Sequence, residues 1–129
     1  MSVARGTAVL LYVEDEILIQ DVVEMALQDA GFDVMVAKNG VEAVNALEAA
    51  TETFLGIITD VNLGDGADGW DVARRARELN EDIPVVYVTG ASAHEWASKG
   101  VPRSVVIEKP FAPAQLVVAI STLLMKTDT

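Results

Sequence analysis

The sequence predicts an α/β protein in which helices cover both faces of a central parallel sheet. Four short runs rich in Val, Ile or aromatic residues recur along the 129-residue chain, and segments with helical spacing separate them. These runs are apolar without alternation, which is typical of strands that are buried on both faces. The length favours one domain, because two would each have too little core. We expect this domain to span residues 7–125, with short tails at 1–6 and 126–129.

Five strands are predicted, each followed by polar, glycine or proline residues. The second, Asp33–Ala37, is the weakest because its side chains alternate more. The other four are Ala8–Val13, Phe54–Thr59, Val85–Val88 and Val105–Ile107.

A helix is predicted after each strand. The predicted helices are Ile17–Ala30, Val41–Ala50, Trp70–Leu79, a short one that ends near Gly100, and Ala114–Met125. Asn39–Glu42 and Ser92–Glu95 resemble capping boxes, Gly31 suits the end of the first helix, and Pro113 suits the first turn of the last. Five βα units with right-handed crossovers predict a doubly wound, flavodoxin-like sheet with strand order 2-1-3-4-5.

The composition excludes several classes of function. With 20 acidic and 9 basic residues the net charge is −11, so a nucleic-acid partner is not expected. The absence of cysteine excludes disulfides, thiolate metal sites and a thiol nucleophile. No run approaches the roughly 18 apolar residues of a membrane span, and the first residues lack the apolar stretch of a signal peptide. We therefore expect a cytoplasmic protein without a membrane partner.

Chemically active side chains follow the predicted strands at their carboxyl ends. Glu14 and Asp15 follow the first strand, Asp60 the third, Thr89 the fourth and Lys109 the fifth. In an open α/β sheet these ends share one edge, so the three carboxylates should lie together and repel one another. Oxygen ligands without His or Cys favour Mg²⁺ as the neutralising cation. Together with the lysine and the hydroxyl, this set is suited to phosphoryl transfer onto a carboxylate.

These residues, in this order, resemble the receiver domain of two-component response regulators, and the resemblance covers roughly residues 7–125. It implies that Asp60 accepts a phosphoryl group from a histidine kinase or a histidine phosphotransfer protein. It also implies a Mg²⁺ site formed by Glu14, Asp15, Asp60 and Asn62, in which Asp15 binds the ion directly, Glu14 mainly through water, Asp60 through its carboxylate and Asn62 through its backbone carbonyl. Lys109 and Thr89 would contact the phosphoryl oxygens.

The resemblance further implies a cis bond between Lys109 and Pro110. Because Val106 cannot act as an aromatic switch, we expect the segment around Gly90–Trp96 to carry the response and a downstream protein to contact the fourth helix, fifth strand and fifth helix. Such a protein is a phosphoacceptor rather than an enzyme acting on a separate substrate, although it can catalyse its own phosphorylation and dephosphorylation.

Two features depart from the family pattern. Val106 stands three residues before the lysine, where the family often has Tyr or Phe as a switch coupled to the threonine. The loop Asn62–Gly69 lacks the Met-Pro pair common after the phosphoacceptor and is longer.

The same loop invites two other interpretations. Its glycines, Gly64, Gly66 and Gly69, match G-x-G-x-x-G, but the motif follows the third strand and is surrounded by acids that repel a pyrophosphate. A calcium loop over Asp60–Asp71 fails because Asp65 stands where the sharp turn needs glycine. We interpret the segment as a turn.

Isolated aromatic and basic residues are expected to be structural. We expect His94 to be exposed, Trp70 to lie at the core edge and Trp96 to be the tryptophan nearer the surface. Arg74, Arg75 and Arg77 are expected to form a solvated helix face.

Two rival functions remain open at this point. A phosphatase of the haloacid dehalogenase type also uses an Asp nucleophile, but there the nucleophile follows the first strand and a second Asp stands two residues later, where this chain has Asn62. The chain also offers no acid to protonate a leaving alcohol. A degenerate receiver that works as a phosphate-independent interaction module is the other alternative.

Overall fold

A computed structural model describes residues 9–64 and 66–127, for the last of which only the backbone is considered. The predicted tail 1–6 lies outside these residues, as do Asp65 and the last two residues. The described chain forms a single five-stranded sheet in which all neighbouring strands are parallel.

The strands lie in the order β2-β1-β3-β4-β5, which confirms the predicted topology. They are β1 (Val9–Val13), β2 (Asp33–Ala37), β3 (Phe54–Asp60), β4 (Val85–Thr89) and β5 (Ser104–Glu108). The three central strands are buried almost throughout, whereas the edge strands β2 and β5 are half-buried. The weak apolar pattern of β2 follows from its edge position.

The helices alternate with the strands as predicted. They are α1 (Ile17–Asp29), α2 (Gly40–Ala50), α3 (Gly69–Leu79), α4 (Trp96–Lys99) and α5 (Pro113–Thr127). Short 3₁₀ turns at Thr51–Thr53 and Ala93–Glu95 follow α2 and precede α4. The helix α4 is therefore a single turn, and α5 runs two residues past its predicted end.

Two strands end later in the structure than predicted, because their hydrogen bonding continues beyond the last apolar residue. The strands β3 and β4 each extend one residue further, to Asp60 and Thr89, because the parallel ladder includes these polar residues. The two side chains are nonetheless buried. The sheet itself therefore fixes the backbone of both.

The core has two layers, one on each face of the sheet. Helices α1 and α5 cover one face with Val23, Leu27 and Ile120, while α2 and α3 cover the other. Trp70 is buried rather than at the core edge, and its ring lies 4.7 Å from that of Tyr87. No helix within the described residues is both long and apolar enough to cross a membrane.

Helix capping differs from the predictions in two places. Asn39 caps α2 by accepting from the Glu42 amide at 2.8 Å, but the Glu42 carboxylate accepts from Lys38 N instead of completing the box. Ser92 makes no side-chain cap, because a 3₁₀ turn begins there and the Glu95 amide bonds to the Ser92 carbonyl.

A complete capping box is present instead at the start of α3, a position that was not predicted. The Asp68 side chain accepts from the Asp71 amide at 2.9 Å, and the Asp71 carboxylate accepts from the Asp68 amide at 3.1 Å. Both backbone donors at this helix end are therefore satisfied.

The expectation of a solvated arginine face holds for Arg74 and Arg75, which pair with carboxylates on exposed surface. It is wrong for Arg77. The guanidinium of this residue donates hydrogen bonds to the carbonyl oxygens of Ile83 and Pro102, at 2.7 and 2.6 Å. The physical reason is that residue 77 faces the amino ends of β4 and β5 rather than solvent. His94 is exposed as expected.

Candidate functional site

The carboxyl edge of the sheet carries a partly buried ion pair between Asp60 and Lys109. The Lys109 Nζ donates to Asp60 Oδ2 at 2.9 Å, and the Asp60 side chain is only 4% exposed. Burial raises the pKa of the Asp60 carboxyl despite the ammonium beside it. Burial lowers the pKa of Lys109, but the hydrogen bond and charge of Asp60 outweigh it and the net pKa is raised.

Three carboxylates meet at this edge. Oxygens of Glu14, Asp15 and Asp60 lie within 4.8 Å of one another, as the strand-end argument predicts. Burial and then the charge of Asp60 raise the pKa of Glu14 to about 7. One ammonium does not neutralise three carboxylates, so the cluster has the donor set and the uncompensated charge that a hard divalent cation suits.

Glu14 is held by residues that the sequence argument did not identify. The Tyr12 hydroxyl lies 3.5 Å from Glu14 Oε1, and the Glu16 amide donates to Oε2 at 3.2 Å. The Gln20 side chain donates to the Glu14 carbonyl at 2.6 Å. Residues 12 and 14 are two positions apart, so in an extended strand their side chains point to the same face. This spacing is the one sequence signal that could have identified Tyr12 as a neighbour of Glu14. Burial raises the pKa of this tyrosine, with Glu14 adding to the effect.

Asp15 and Asn62 occupy the open side of the site. Asp15 is exposed, in contrast to Glu14, which is 1% exposed. Asn62 is exposed as well, and its amide donates to Asp60 Oδ1 at 3.3 Å. The open side therefore offers a carboxylate and a backbone segment to an incoming group.

Thr89 ends β4 beside the site and is fully buried. Its Oγ1 accepts a hydrogen bond from the Ser92 amide at 3.0 Å, so the hydroxyl holds the turn that leads towards α4. On β5, Val106 pairs with Tyr87 rather than supplying an aromatic ring of its own. The bond between Lys109 and Pro110 is cis, as predicted.

The loop after Asp60 is confined by two glycines. A Cβ on Gly69 would collide with the Asp60 carbonyl oxygen and with the Val61 backbone, and the Gly69 amide donates to Val61 O at 2.8 Å. A Cβ on Gly40 in α2 would collide with the Ala67 backbone. Gly64 and Gly66 in this loop have positive φ, a backbone conformation that is common in turns.

Comparison with known families agrees with this arrangement of a parallel sheet, an acid cluster at its carboxyl edge and a lysine paired with Asp60. The model of the response regulator receiver domain matches residues 10–121. The chain belongs to this family, which confirms the resemblance drawn from the strand-end residues and places it among two-component signalling proteins.

Individual relatives differ in how much of their length the chain spans. It is 34% identical over 119 residues to the transcriptional regulatory protein CusR of Escherichia coli, covering 91% of this chain and 51% of the relative. The chain thus spans about half the length of that regulator. It is 31% identical to the response regulator receiver protein CpdR of Brucella abortus, covering 90% of this chain and 96% of CpdR.

A solved structure confirms the fold. The crystal structure of a response regulator receiver protein from Sinorhizobium medicae is 42% identical, with a TM-score of 0.88, and covers 92% of this chain and 94% of that one. The phosphatase of the haloacid dehalogenase type is therefore the wrong class for this chain.

Proposed function

We propose that this receiver domain accepts a phosphoryl group on Asp60 in a Mg²⁺-dependent reaction, with a histidine kinase or a histidine phosphotransfer protein as donor. The observation that carries the proposal is the position of the Asp60 carboxylate, which contacts Lys109 at 2.9 Å and also belongs to the three-acid cluster. Among the acids of the cluster in the described residues, only Asp60 also forms an ion pair with Lys109.

The reaction forms an acyl phosphate. A carboxylate oxygen of Asp60 attacks phosphorus while the bond from phosphorus to the donor breaks, and the donor atom keeps the electron pair of that bond. The Lys109 ammonium lies where negative charge on the phosphoryl oxygens develops, and the Thr89 hydroxyl can donate to one of them.

The acidic residues fit a magnesium ion. Asp15 would hold it directly, Glu14 mainly through water, Asp60 through its carboxylate and Asn62 through its backbone carbonyl. This assignment is supported by the three-acid cluster, the exposure of Asp15 and the burial of Glu14. A bound Mg²⁺ supplies the positive charge that lets carboxylates and phosphoryl oxygens approach. Without it, Glu14 and Asp60 carry raised pKa values because their charges are buried together.

The output is a change in protein contacts on the face formed by α4, β5 and α5. The support is the weakly held segment between Thr89 and Trp96, where Ser92 makes no side-chain cap and α4 is a single turn. The protein is then a phosphoacceptor that catalyses its own modification, and not an enzyme for a separate substrate.

The test is intact-mass spectrometry after incubation with a small acyl phosphate. We expect a gain of one phosphoryl group that requires Mg²⁺ and is lost in Asp60→Asn. The matched control is Glu108→Gln, which removes an exposed acid next to Lys109 and should leave the gain unchanged. A gain retained in Asp60→Asn moves the acceptor to another residue. Folded, Mg²⁺-binding protein that takes up no phosphoryl group from any donor is the phosphate-independent receiver.

A further inference from the structure

A cavity lies at the amino ends of β4 and β5, on the sheet edge opposite to the acidic site. Its volume is about 470 Å³, within the range of roughly 300–1,000 Å³ typical of small-molecule sites. Arg77, Arg103 and Lys126 bring positive charge to its lining, and Pro84, Val105 and Leu123 form an apolar wall. None of these residues takes part in the proposed phosphorylation.

This concentration of cations contrasts with the rest of the chain. Three of the nine basic residues line one cavity in a protein of net charge −11. The three come from the end of α3, the turn before β5 and the end of α5, so the fold itself gathers them. This cavity has three cations in its lining, whereas the apolar cavity lined by Leu18, Val22 and Phe111 has Lys109 alone.

Arg77 is a half-buried cation whose hydrogen-bond partners are all neutral. Its guanidinium donates to the carbonyl oxygens of Ile83 at 2.7 Å, Pro102 at 2.6 Å and Arg103 at 3.3 Å. No carboxylate in the described part of the chain forms an ion pair with it. Burial, and next the charge of Arg103, lower the pKa of Arg77. The charge of Asp82 acts in the opposite direction but does not reverse the lowering. A half-buried charge that is only partly compensated is costly, so the cavity favours an anion.

Arg103 is held at the rim in an uncommon backbone conformation. Its φ of 60° lies in the left-handed region, which side chains other than Gly, Asn and Asp rarely adopt. Its guanidinium donates to Glu81 O at 3.0 Å and lies 3.6 Å from Asp82 Oδ1. Asp82 is the one carboxylate in the lining, and both side chains of this pair are mostly exposed, so water screens their attraction.

We propose that this cavity binds a small organic anion in which one phosphate, phosphonate or carboxylate group is attached to an apolar body. The guanidinium groups bind the anionic group through charge-assisted hydrogen bonds, and the apolar wall covers the body. The shared chemistry is a single anionic head on a hydrophobic ring or chain. The site does not depend on phosphorylation of Asp60, so the two proposals fail independently.

The test is an amide NMR titration of the full chain with phenylphosphonate, which cannot transfer a phosphoryl group, in the absence of Mg²⁺. We expect saturable shifts around residues 77, 103–105 and 123, with a Kd of about 1 mM or below. Inorganic phosphate, which lacks the apolar body, and benzyl alcohol, which lacks the charge, should each bind at least about fivefold more weakly. Benzoate in place of phenylphosphonate distinguishes a carboxylate ligand from a phosphate ligand.

Variants separate this site from general attraction of anions. Arg103→Gln and Lys126→Gln should each weaken phenylphosphonate binding about tenfold. Arg74→Gln removes a cation on the solvated face of the same helix as Arg77 and should leave the binding unchanged. The proposal is overturned if no saturable shift occurs below about 10 mM, if both cavity variants bind like the unmodified chain, or if the shifts lie at the acidic edge.

Discussion

Lys109 Nζ lies 2.9 Å from Asp60 Oδ2, although the two residues are 49 positions apart in sequence. The pair exists because β3 and β5 end at the same edge of the sheet, with β4 between them. The Asp60 side chain is 4% exposed and that of Lys109 29% exposed, so water screens this pair much less than an ordinary surface pair.

Replacing Lys109 by glutamine should reduce both phosphorylation and stability. The buried Asp60 carboxylate loses its cation, so we expect phosphoryl uptake to slow at least about tenfold and the free energy of unfolding at pH 8 to fall by about 2 kcal/mol. Stopped-flow phosphorylation and urea unfolding measure the two effects. Lys99→Gln breaks only an exposed pair with Glu95 and should change stability by less than about 0.5 kcal/mol.

The stability of the metal-free protein should depend on Glu14 and fall as pH rises. The pKa of Glu14 is about 7 in the folded state and 4.5 in its ordinary state, so between these values the folded protein holds a proton that the unfolded chain has released. The stabilisation that protonated Glu14 gives the folded state is fully present below about pH 4.5 and is lost above about pH 7. Glu14→Gln should therefore gain up to about 3 kcal/mol relative to the unmodified chain between pH 4.5 and 8, measured by urea unfolding with a chelator.

The two strand-end acids should differ in magnesium affinity. Asp15 is exposed at the open side of the site while Glu14 is buried and already bonded to Glu16 N, so Asp15→Asn should weaken Mg²⁺ binding more than Glu14→Gln. Mg²⁺ should raise the melting temperature of the unmodified chain by mass action. Calorimetric titration with Mg²⁺ compares the variants, and equal losses would show that the acids share one role.

Gly69→Ala should impair the site through the backbone. The added methyl group collides with the Asp60 carbonyl and the Val61 backbone, so we expect a stability loss of about 1–3 kcal/mol together with slower phosphorylation. Gly31→Ala is the matched control. Its φ of 102° makes alanine cost about 1 kcal/mol, but nothing lies near the added atom and the residue is far from the acids, so phosphorylation should be unchanged.

Binding of a phosphoryl mimic should release the turn after β4. When the Thr89 side chain changes rotamer to bring its hydroxyl to a phosphoryl oxygen, Oγ1 moves away from the Ser92 amide and the hydrogen bond that it accepts there is lost. We expect faster hydrogen exchange at Ser92 and a change in Trp96 fluorescence, because Trp96 is 36% exposed and held through Nε1 by Ser104 Oγ at 2.9 Å.

Thr89→Ala should abolish both responses, and Trp96→Phe should remove the fluorescence change while leaving the exchange response. Perturbation confined to α1 and α2, or an unchanged response in Thr89→Ala, contradicts this route.

The sequence was sufficient for the topology and for most of the site. The carboxyl ends of parallel strands meet at one edge of the sheet whatever the side chains are. The proximity of Glu14, Asp15, Asp60 and Lys109 could therefore be predicted, because each of them follows an apolar run. The α/β alternation likewise predicted the strand order, because right-handed crossovers leave few arrangements.

What could not be predicted depends on the reach of individual side chains. The bond from Gln20 to the Glu14 carbonyl requires the actual angle at which α1 leaves the strand. The failed cap at Ser92 reflects a 3₁₀ turn that four residues of sequence do not distinguish from an α-helical start. In the sequence, Arg77 is not distinguished from the exposed arginines of the same helix. Its burial depends on the position of the turn before β5, where Pro102 O accepts a hydrogen bond from its guanidinium.

The contact between Gly40 and Ala67 joins the start of α2 to the loop that follows Asp60. Gly40 supplies no atom to the acid cluster and precedes Asp60 by a whole helix and strand. A random screen for chains that fold but fail to take up phosphoryl groups should nevertheless recover side chains at position 40, because any of them pushes on the Ala67 backbone. Substitutions that impair phosphorylation should therefore also occur at the start of α2, a helix that makes no contact with the phosphoryl group.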